Sequence, residues 1–445
     1  MTMTKENIIY PQITAGLIRV IGIFNYDRNF EKSIVKNGFV NIPLSAPQFV
    51  DSTKQFYRDK YYTEFNELLL TRNGDDAVKS YVKEIQMDLN FKKGIENIGA
   101  VVKEAEIHLF DGHIGVFSLT VEPHKWNFNL VSDLLFCLKM FSSVVVNENI
   151  QLHQWVSKFI LNGVALRSTP EMHVESDDYS GSKFKIFSVF DVVEDTASSS
   201  FQRDELLYEL GTGSLLGSLS DFGYFAPSRE YYFEIMQNRV SAFNNWSALA
   251  LLDSYTAIGQ DILTRNGQLD GMKLATYTRQ YFSIYLFNLY MKYNVFRFNT
   301  KFKEDPVKYK MMFEDFMNNY NFSHISFDFL PNLIYSKMRL ALGVEEEIKS
   351  FEKRLVSLAA NIQEEQQKRQ ALLLGVISII TSIGAAEPFL EYAESIRSML
   401  DLNSGLYYTL VTLLSVLVAI PILAFLFPTK YKMVKKKIFP NETAL

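Results

Sequence analysis

GLYYTLVTLLSVLVAIPILAFLF, residues Gly405 to Phe427, carries no charged side chain from end to end. At about 1.5 Å of rise per residue it is long enough to cross a hydrocarbon core of about 30 Å. Tyr407 and Tyr408 stand at one end, where amphipathic rings favour an interface, and Pro421 is tolerable as a kink. Lys430, Lys432, Lys435, Lys436 and Lys437 follow it, and the positive-inside rule then places the C-terminus in the cytoplasm. The stretch predicts a transmembrane helix at 405–428 and a basic cytoplasmic tail at 429–445.

Upstream, Ala371 to Ala386 reads ALLLGVISIITSIGAA and would rise about 24 Å as a helix. Lys368 and Arg369 precede it, while Glu387, Glu391, Glu394 and Asp401 against Arg397 make the following segment acidic. These flanks favour a first span at 371–390 and an outer loop at 391–404, against a re-entrant or buried helix. Two spans return the chain to its starting side, so both termini are expected in the cytoplasm.

Before this hairpin, Val344, Ile348, Phe351, Leu355, Leu358 and Ile362 alternate at spacings of four and three, as a coiled-coil seam does. Glu345 with Lys349, Glu364 with Lys368 and Glu365 with Arg369 add supporting i, i+4 pairs. One helix from near Pro331 to about Ala386 is expected, with a stalk at 331–370; an amphipathic helix packed on its own domain is the alternative. Gly375, Ser378, Thr381, Ser382 and Ala385 form a stripe of small or hydroxylated residues along the first span. Such a stripe fits either close helix packing or the lining of a hydrated pathway.

Hydrophobic residues make up 48% of the 445 positions and charged ones 21%, enough for a sizeable core and against disorder. A net charge of -5 gives no global attraction to nucleic acid, and direct nucleic-acid binding is not expected. The single cysteine, Cys137, excludes an internal disulfide framework, and its apolar neighbours suit a buried thiol.

The N-terminal part reads as mixed α and β. Val102 to Val121, VKEAEIHLFDGHIGVFSLTV, gives two strands about an Asp111-Gly112 turn. Ile13 to Phe24 and Phe184 to Val193 are further strands, and Phe128 to Phe141 and Asn147 to Leu161 read as helices. Past the glycines Gly211, Gly213 and Gly217, the run Tyr231, Ile235, Phe243, Trp246, Leu249 and Leu252 reads as helical, as do the segments up to Phe298 and from Pro306 to Asn319. The fold class expected is an α+β cytoplasmic domain (1–200) with a helical layer (201–330), a long coiled-coil-like stalk helix and a two-helix transmembrane hairpin.

Enzymatic motifs are missing. The glycines lack a phosphate-loop ending, the histidines show no HExxH pattern, no GxSxG occurs, and His108 and His113, flanking the turn, read as exposed structural residues. The chain is therefore expected not to be an enzyme.

The order of an α/β domain, a long helix entering a first span, the acidic loop, a second span and a lysine-rich tail resembles the CorA superfamily of cation channels. Where that family ends its first span in Gly-Met-Asn, this sequence has Gly384-Ala385-Ala386-Glu387. The strand pair IHLFDGHIGVFSLTVE and the run AFNNWSALALLDSYTAIG look closer to the CorA-like membrane effectors associated with type III CRISPR systems. The resemblance implies a ligand-gated, homo-oligomeric channel, pentameric by analogy, in a bacterial-type inner membrane with an antiviral role. It also implies gating by a nucleotide messenger such as a conjugate of S-adenosylmethionine with AMP, with divalent cations as further ligands. Under it Gly375, Ser378, Thr381, Ser382 and Ala385 line the pore, and Glu387, Glu391 and Glu394 draw cations to its mouth. Arg229, Arg239, Asn245, Trp246 and Arg279, with Asn244, are the candidates for the nucleotide. The rival readings are a constitutive magnesium transporter and a membrane-anchored binding or scaffold module.

Overall fold

The computed structural model describes residues 10–42, 51–72, 77–93, 96–139, 145–146, 150–164, 184–193, 200–214, 216–219, 227–400, 405 and 409. Two compact units divide the chain, 1–351 and 352–445.

The first unit is built on an 11-stranded mixed sheet. Its strands are β1 (Gln12–Asn25), β2 (Val40–Asn41), β3 (Lys79–Lys93), β4 (Glu96–Phe110), β5 (Ile114–Pro123), β6 (Val145–Val146), β7 (Ile150–Gln151), β8 (Lys185–Val193), β9 (Arg239–Phe243), β10 (Trp246–Ala250) and β11 (Ser254–Gly259). They lie in the order β7-β6-β3-β4-β5-β1-β8-β11-β10-β9, with β2 beside β3. Among the described residues only the β8–β11 contact is parallel; the other pairings of this sheet are antiparallel. The Asp111–His113 turn joins β4 to β5, and Gly112 takes the left-handed φ of 71° that this tight reversal requires.

Both faces of the central strands are covered, which is why β1 and β8 read as nearly unbroken apolar runs. On one face Phe190 meets Phe128 of helix Phe128–Lys139, in a cluster with Ile18, Val20, Ile107 and Leu207. On the other, Phe187 of β8 packs on Phe282 and Tyr285, and Phe110 of β4 stacks on Tyr290. These partners belong to helix Phe282–Lys301, which is buried around most of its circumference. Such a helix shows little amphipathic pattern because neighbours enclose it on every side. Helices Pro306–Tyr320 and Phe329–Ala341 supply that enclosure, through Phe316 and Tyr320 against Tyr290 and through Tyr335 against Phe287.

The C-terminal expectations need correction. The helix expected to run unbroken from Pro331 is two helices, Phe329–Ala341 and Val344–Leu400, parted at Gly343 with φ of 70°. The coiled-coil seam is divided as well. Val344, Ile348 and Phe351 are buried in the first unit, with the Phe351 ring against Phe298, Phe302 and Phe313, whereas Ile362 is exposed. That burial is the packing of an amphipathic helix on its own domain.

The second unit contains the rest of helix Val344–Leu400, which continues through Glu387, Glu391, Glu394 and Arg397, where an outer loop was expected. Among the described residues no helix is long and apolar enough to cross a membrane. Lipid demands about 20 apolar residues in succession, because hydrocarbon cannot solvate charges or open backbone groups. Among the described residues the fold is thus a mixed sheet with helical decorations, without the stalk and transmembrane hairpin of the expected class. The CorA-like resemblance is withdrawn with it. So are the homo-oligomeric channel and its antiviral role, the magnesium transporter, the lipid partner and the multi-pass placement in an inner membrane. The span expected at 405–428 lies outside the described residues apart from Gly405 and Thr409, as does the tail at 429–445.

The run AFNNWSALALLDSYTAIG, expected to be helical, is the end of β9 followed by the β10–β11 hairpin. All five β10 residues are buried, so the strand lacks the alternation that would identify it.

Candidate functional site

A row of polar side chains crosses the sheet face that meets helix Phe282–Lys301. The β4–β5 register slips between Val102 and Glu104, and the β3–β4 register slips between Glu84 and Met87. Bulges of this kind re-aim the alternation of a strand. Beyond the slip, Ala105, Ile107 and Leu109 enter the apolar cluster, leaving Glu104, Glu106 and His108 on the opposite face. Arg19 of β1 projects to the same side, with its guanidinium 4.2 Å from the centroid of the Phe282 ring.

Arg19 is 3% exposed and holds Glu106 with a fork of two hydrogen bonds, Nη1 to Oε2 at 2.9 Å and Nη2 to Oε1 at 3.0 Å. Glu104 approaches the same guanidinium at 3.8 Å and accepts from the Thr120 hydroxyl at 3.1 Å. His108 Nε2 lies 3.2 Å from Glu106 Oε2, and Ser80 Oγ lies 2.8 Å from His108 Nδ1. The carboxylate beside Nε2 favours the proton on that nitrogen, so Ser80 donates to Nδ1. Burial works against ionisation of Glu106, but Arg19 and His108 outweigh it and hold the carboxyl well below its ordinary range. Burial lowers the His108 value, opposed by Glu106 and reinforced by Arg72 and Arg19.

Ser80, His108 and Glu106 superficially resemble a nucleophilic triad. Ser80 and His108 are each 1% exposed, however, and Ser80 does not reach the cavity described next. Glu106 is already held by Arg19. The row is a buried network of ion pairs and hydrogen bonds that fixes the wall of a cavity, with Arg19 Nε left without a hydrogen-bond partner among the described residues.

That cavity, of about 410 Å³, lies between the strand face and the segments Asn66–Leu70 and Thr276–Tyr281, both π-helical. Leu69, Leu70, Leu274, Phe282 and Leu286 form its apolar walls, while Arg19, Arg72 and Arg279 reach it from three parts of the chain. Its size falls within the usual range for small-molecule sites, and π-helical turns are frequent at functional positions.

Arg72 has φ of 54°, a left-handed conformation that costs a non-glycine residue about 1–3 kcal/mol. Its Nε donates to Leu69 O at 3.1 Å, whereas its Nη atoms have no hydrogen-bond partner among the described residues. Burial pushes the guanidinium down to about 10, and Arg279 and Arg19 act in the same direction against Glu106. Arg279 is hydrogen-bonded to Tyr57, whose hydroxyl is pushed up by burial and partly drawn back by that arginine. Three guanidinium groups and three carboxylates line the cavity; Glu106 is committed to Arg19, Glu104 lies beside the same guanidinium, and Glu84 is exposed.

The expected ligand residues do not converge. Arg279 is in this cavity, and Asn245 and Trp246 line a different one. Arg229 lies 5.6 Å from the Phe233 ring, and Arg239 is ion-paired with Asp204. Asn244 accepts from Arg203 through its backbone carbonyl at 2.7 Å. Gly375 and Ser378 lie on helix Val344–Leu400, where Ser378 Oγ bonds Leu374 O at 2.8 Å, and Glu391 and Glu394 are exposed on it. Thr381, Ser382, Ala385 and Glu387 fall in the same helix, with side chains outside the described part.

Sequence reading missed Arg19, Glu104, Glu106, His108 and Arg72. A signal existed for the first four: Arg19 is the only charge in QITAGLIRVIGIFN, and Glu104, Glu106 and His108 recur at every second position opposite apolar residues. Against expectation, His108 is deeply buried.

The depressed values of His108 and Glu106 give acid lability a definite sign. Both contributions to stability are present above the ordinary histidine value of 6.5. As pH falls from there, the unfolded chain takes up a proton at this histidine before the folded one does, and stability declines. Below the ordinary glutamate value of 4.5 the Glu106 contribution is lost too, and the decline steepens. Urea unfolding followed by tryptophan emission is expected to show both limbs, and His108→Gln to flatten the upper one. An unaltered upper limb in that variant would assign it to other groups.

No family model, curated protein or solved structure matches this chain.

Proposed function

We propose that this chain binds a small ligand by an anionic group, a phosphate or a carboxylate, in the cavity bordered by Arg19, Arg72 and Arg279, and that it does so without catalysing a reaction. The observation that carries this reading is Arg72: a half-buried guanidinium in strained backbone whose Nη atoms have no bonding partner among the described residues. Desolvating a charge that makes no ion pair through its Nη atoms is unfavourable, and an anion in the cavity relieves that cost through a planar pair of N–H donors. Arg19 stays committed to Glu106 and serves as wall; Arg72 and Arg279 are the contacts for the ligand. A nucleotide phosphate is one carrier of such a group. Divalent cations are not part of the proposal, since among the described residues no group of three His, Cys, Asp or Glu side chains is placed to hold a metal ion. Ser80 does not reach the cavity and Glu106 is committed to Arg19, which supports binding without turnover.

Calorimetric titration with inorganic phosphate and, separately, with succinate tests this reading and distinguishes the two kinds of anion. Saturable binding of at least one is expected, weakened about tenfold or more by Arg72→Ala, since a hydrogen bond to a charged group contributes about 1.5–3 kcal/mol. Arg239→Ala, remote from the cavity lining, is expected to leave it unchanged. Absence of binding by both anions, or equal affinity in the Arg72→Ala protein, would overturn it.

A further inference from the structure

A second cavity, of about 240 Å³, is walled largely by aromatic rings. Phe243 and Trp246 come from β9 and β10, with centroids 6.4 Å apart and planes inclined at 43°. Tyr277 and Tyr281 face them from the π-helical segment Thr276–Tyr281, with centroids 5.3 Å apart at 88°. Trp246, Tyr277 and Tyr281 are almost wholly buried, whereas Phe243 is 56% exposed. Three fixed rings and one exposed ring at an open pocket offer flat apolar faces that sequence-distant elements bring together.

The polar groups of the pocket narrow the chemistry of its occupant. Lys273 Nζ donates to Asp261 O at 2.5 Å and to Thr264 O at 2.7 Å, so its charge is anchored in the wall. Asp261, held at φ of 52°, also lines the pocket. The anchored Lys273 ammonium disfavours a cation despite the aromatic faces, because a bound cation would meet a like charge. Asn245 Nδ2 donates to Gln260 O at 3.0 Å, which leaves Oδ1 as an acceptor; the Asp261 carboxylate is a second. A flat, uncharged ring fits the walls, and N–H donors at its edge fit those acceptors.

We infer that this cavity is a binding site for an uncharged, amino-substituted heteroaromatic ring, stacked on Phe243 with Trp246 walling its side and hydrogen-bonded at its edge to Asn245 and Asp261. The anion cavity shares the π-helical segment but takes different side chains from it, Thr278 and Arg279, and the two sites are independently testable.

The probe is 2-aminopurine, whose emission is quenched on stacking. Saturable quenching is expected, and Phe243→Ala is expected to weaken it about tenfold, as loss of one stacking ring does. Phe243 is exposed, so the variant should retain the fold, which tryptophan emission verifies; Asn245→Ala provides a second variant that removes an edge contact and not a ring. Arg72→Ala is expected to leave the affinity unchanged. The inference is overturned by no saturable quenching up to about 1 mM probe, the weak end of specific binding. It is equally overturned by full affinity in both the Phe243→Ala and Asn245→Ala proteins, or by tetramethylammonium displacing the probe at equal concentration.

Discussion

Asp191→Ala is expected to destabilise the first unit by about 4 kcal/mol, among the larger effects a single substitution produces. Asp191 is 1% exposed, and its Oδ2 accepts from Leu263 N at 2.8 Å, Thr264 N at 2.7 Å and Thr264 Oγ1 at 2.9 Å. Alanine leaves these three donors to the Asp191 carboxylate without that acceptor. The loop so fixed carries Asp261 and the Thr264 carbonyl, which anchor Lys273 beside the aromatic cavity. All three tryptophans, Trp126, Trp155 and Trp246, belong to the first unit, so urea unfolding followed by their emission reads this unit specifically. A midpoint like that of the unaltered protein would show the loop to be held by other contacts.

Glu106→Ala should cost a comparable 3–5 kcal/mol, because it strips the counterion from a guanidinium that is nearly sealed from water. The informative comparison is the double variant Arg19→Met with Glu106→Ala. Removing both charges eliminates the stranded cation, and much of the lost stability is expected to return. Additive losses would mean that Arg19 and Glu106 act separately, which the two-bond fork between them makes unreasonable. The same double variant should keep the Arg72 contact for anions, since Arg19 serves as wall.

Local patterns made part of this architecture legible. The Asp111-Gly112 pair and its flanking apolar runs identify the β4–β5 hairpin, and Pro306 after Asp305 marks a helix start that the structure caps through the Asp305 side chain. The β10–β11 hairpin escaped because Trp246 to Ala250 is buried on both faces and rich in alanine and leucine, which favour helices. The long helix misled in another way. Val344, Ile348 and Phe351 keep a coiled-coil spacing, yet rings of Phe298, Phe302 and Phe313 fill the space a partner helix would occupy. Spacing specifies an apolar stripe and leaves open what covers it.

The candidate sites were less legible. Arg19, Glu106 and His108 break an apolar pattern and can be found in a strand, but Arg72 and Arg279 come together only through tertiary packing of two π-helical segments. Arg279 was identified for its residue type alone. Asn245 and Trp246 stand close in sequence to the candidate Arg239, whereas the fold gives them to the aromatic cavity. Asp191 and Thr264 are more than 70 residues apart and pair through backbone donors that no sequence pattern reveals.

The anion site can be seen directly by anomalous diffraction from crystals of the unaltered protein soaked in selenate, a heavy analogue of a tetrahedral oxyanion. A selenium peak within hydrogen-bonding reach of the Arg72 Nη atoms and the Arg279 guanidinium, absent from Arg72→Ala crystals, is the expected result. Selenate bound only elsewhere on the surface, with that cavity empty at saturating concentration, would contradict the assignment of the arginine cavity as the ligand site.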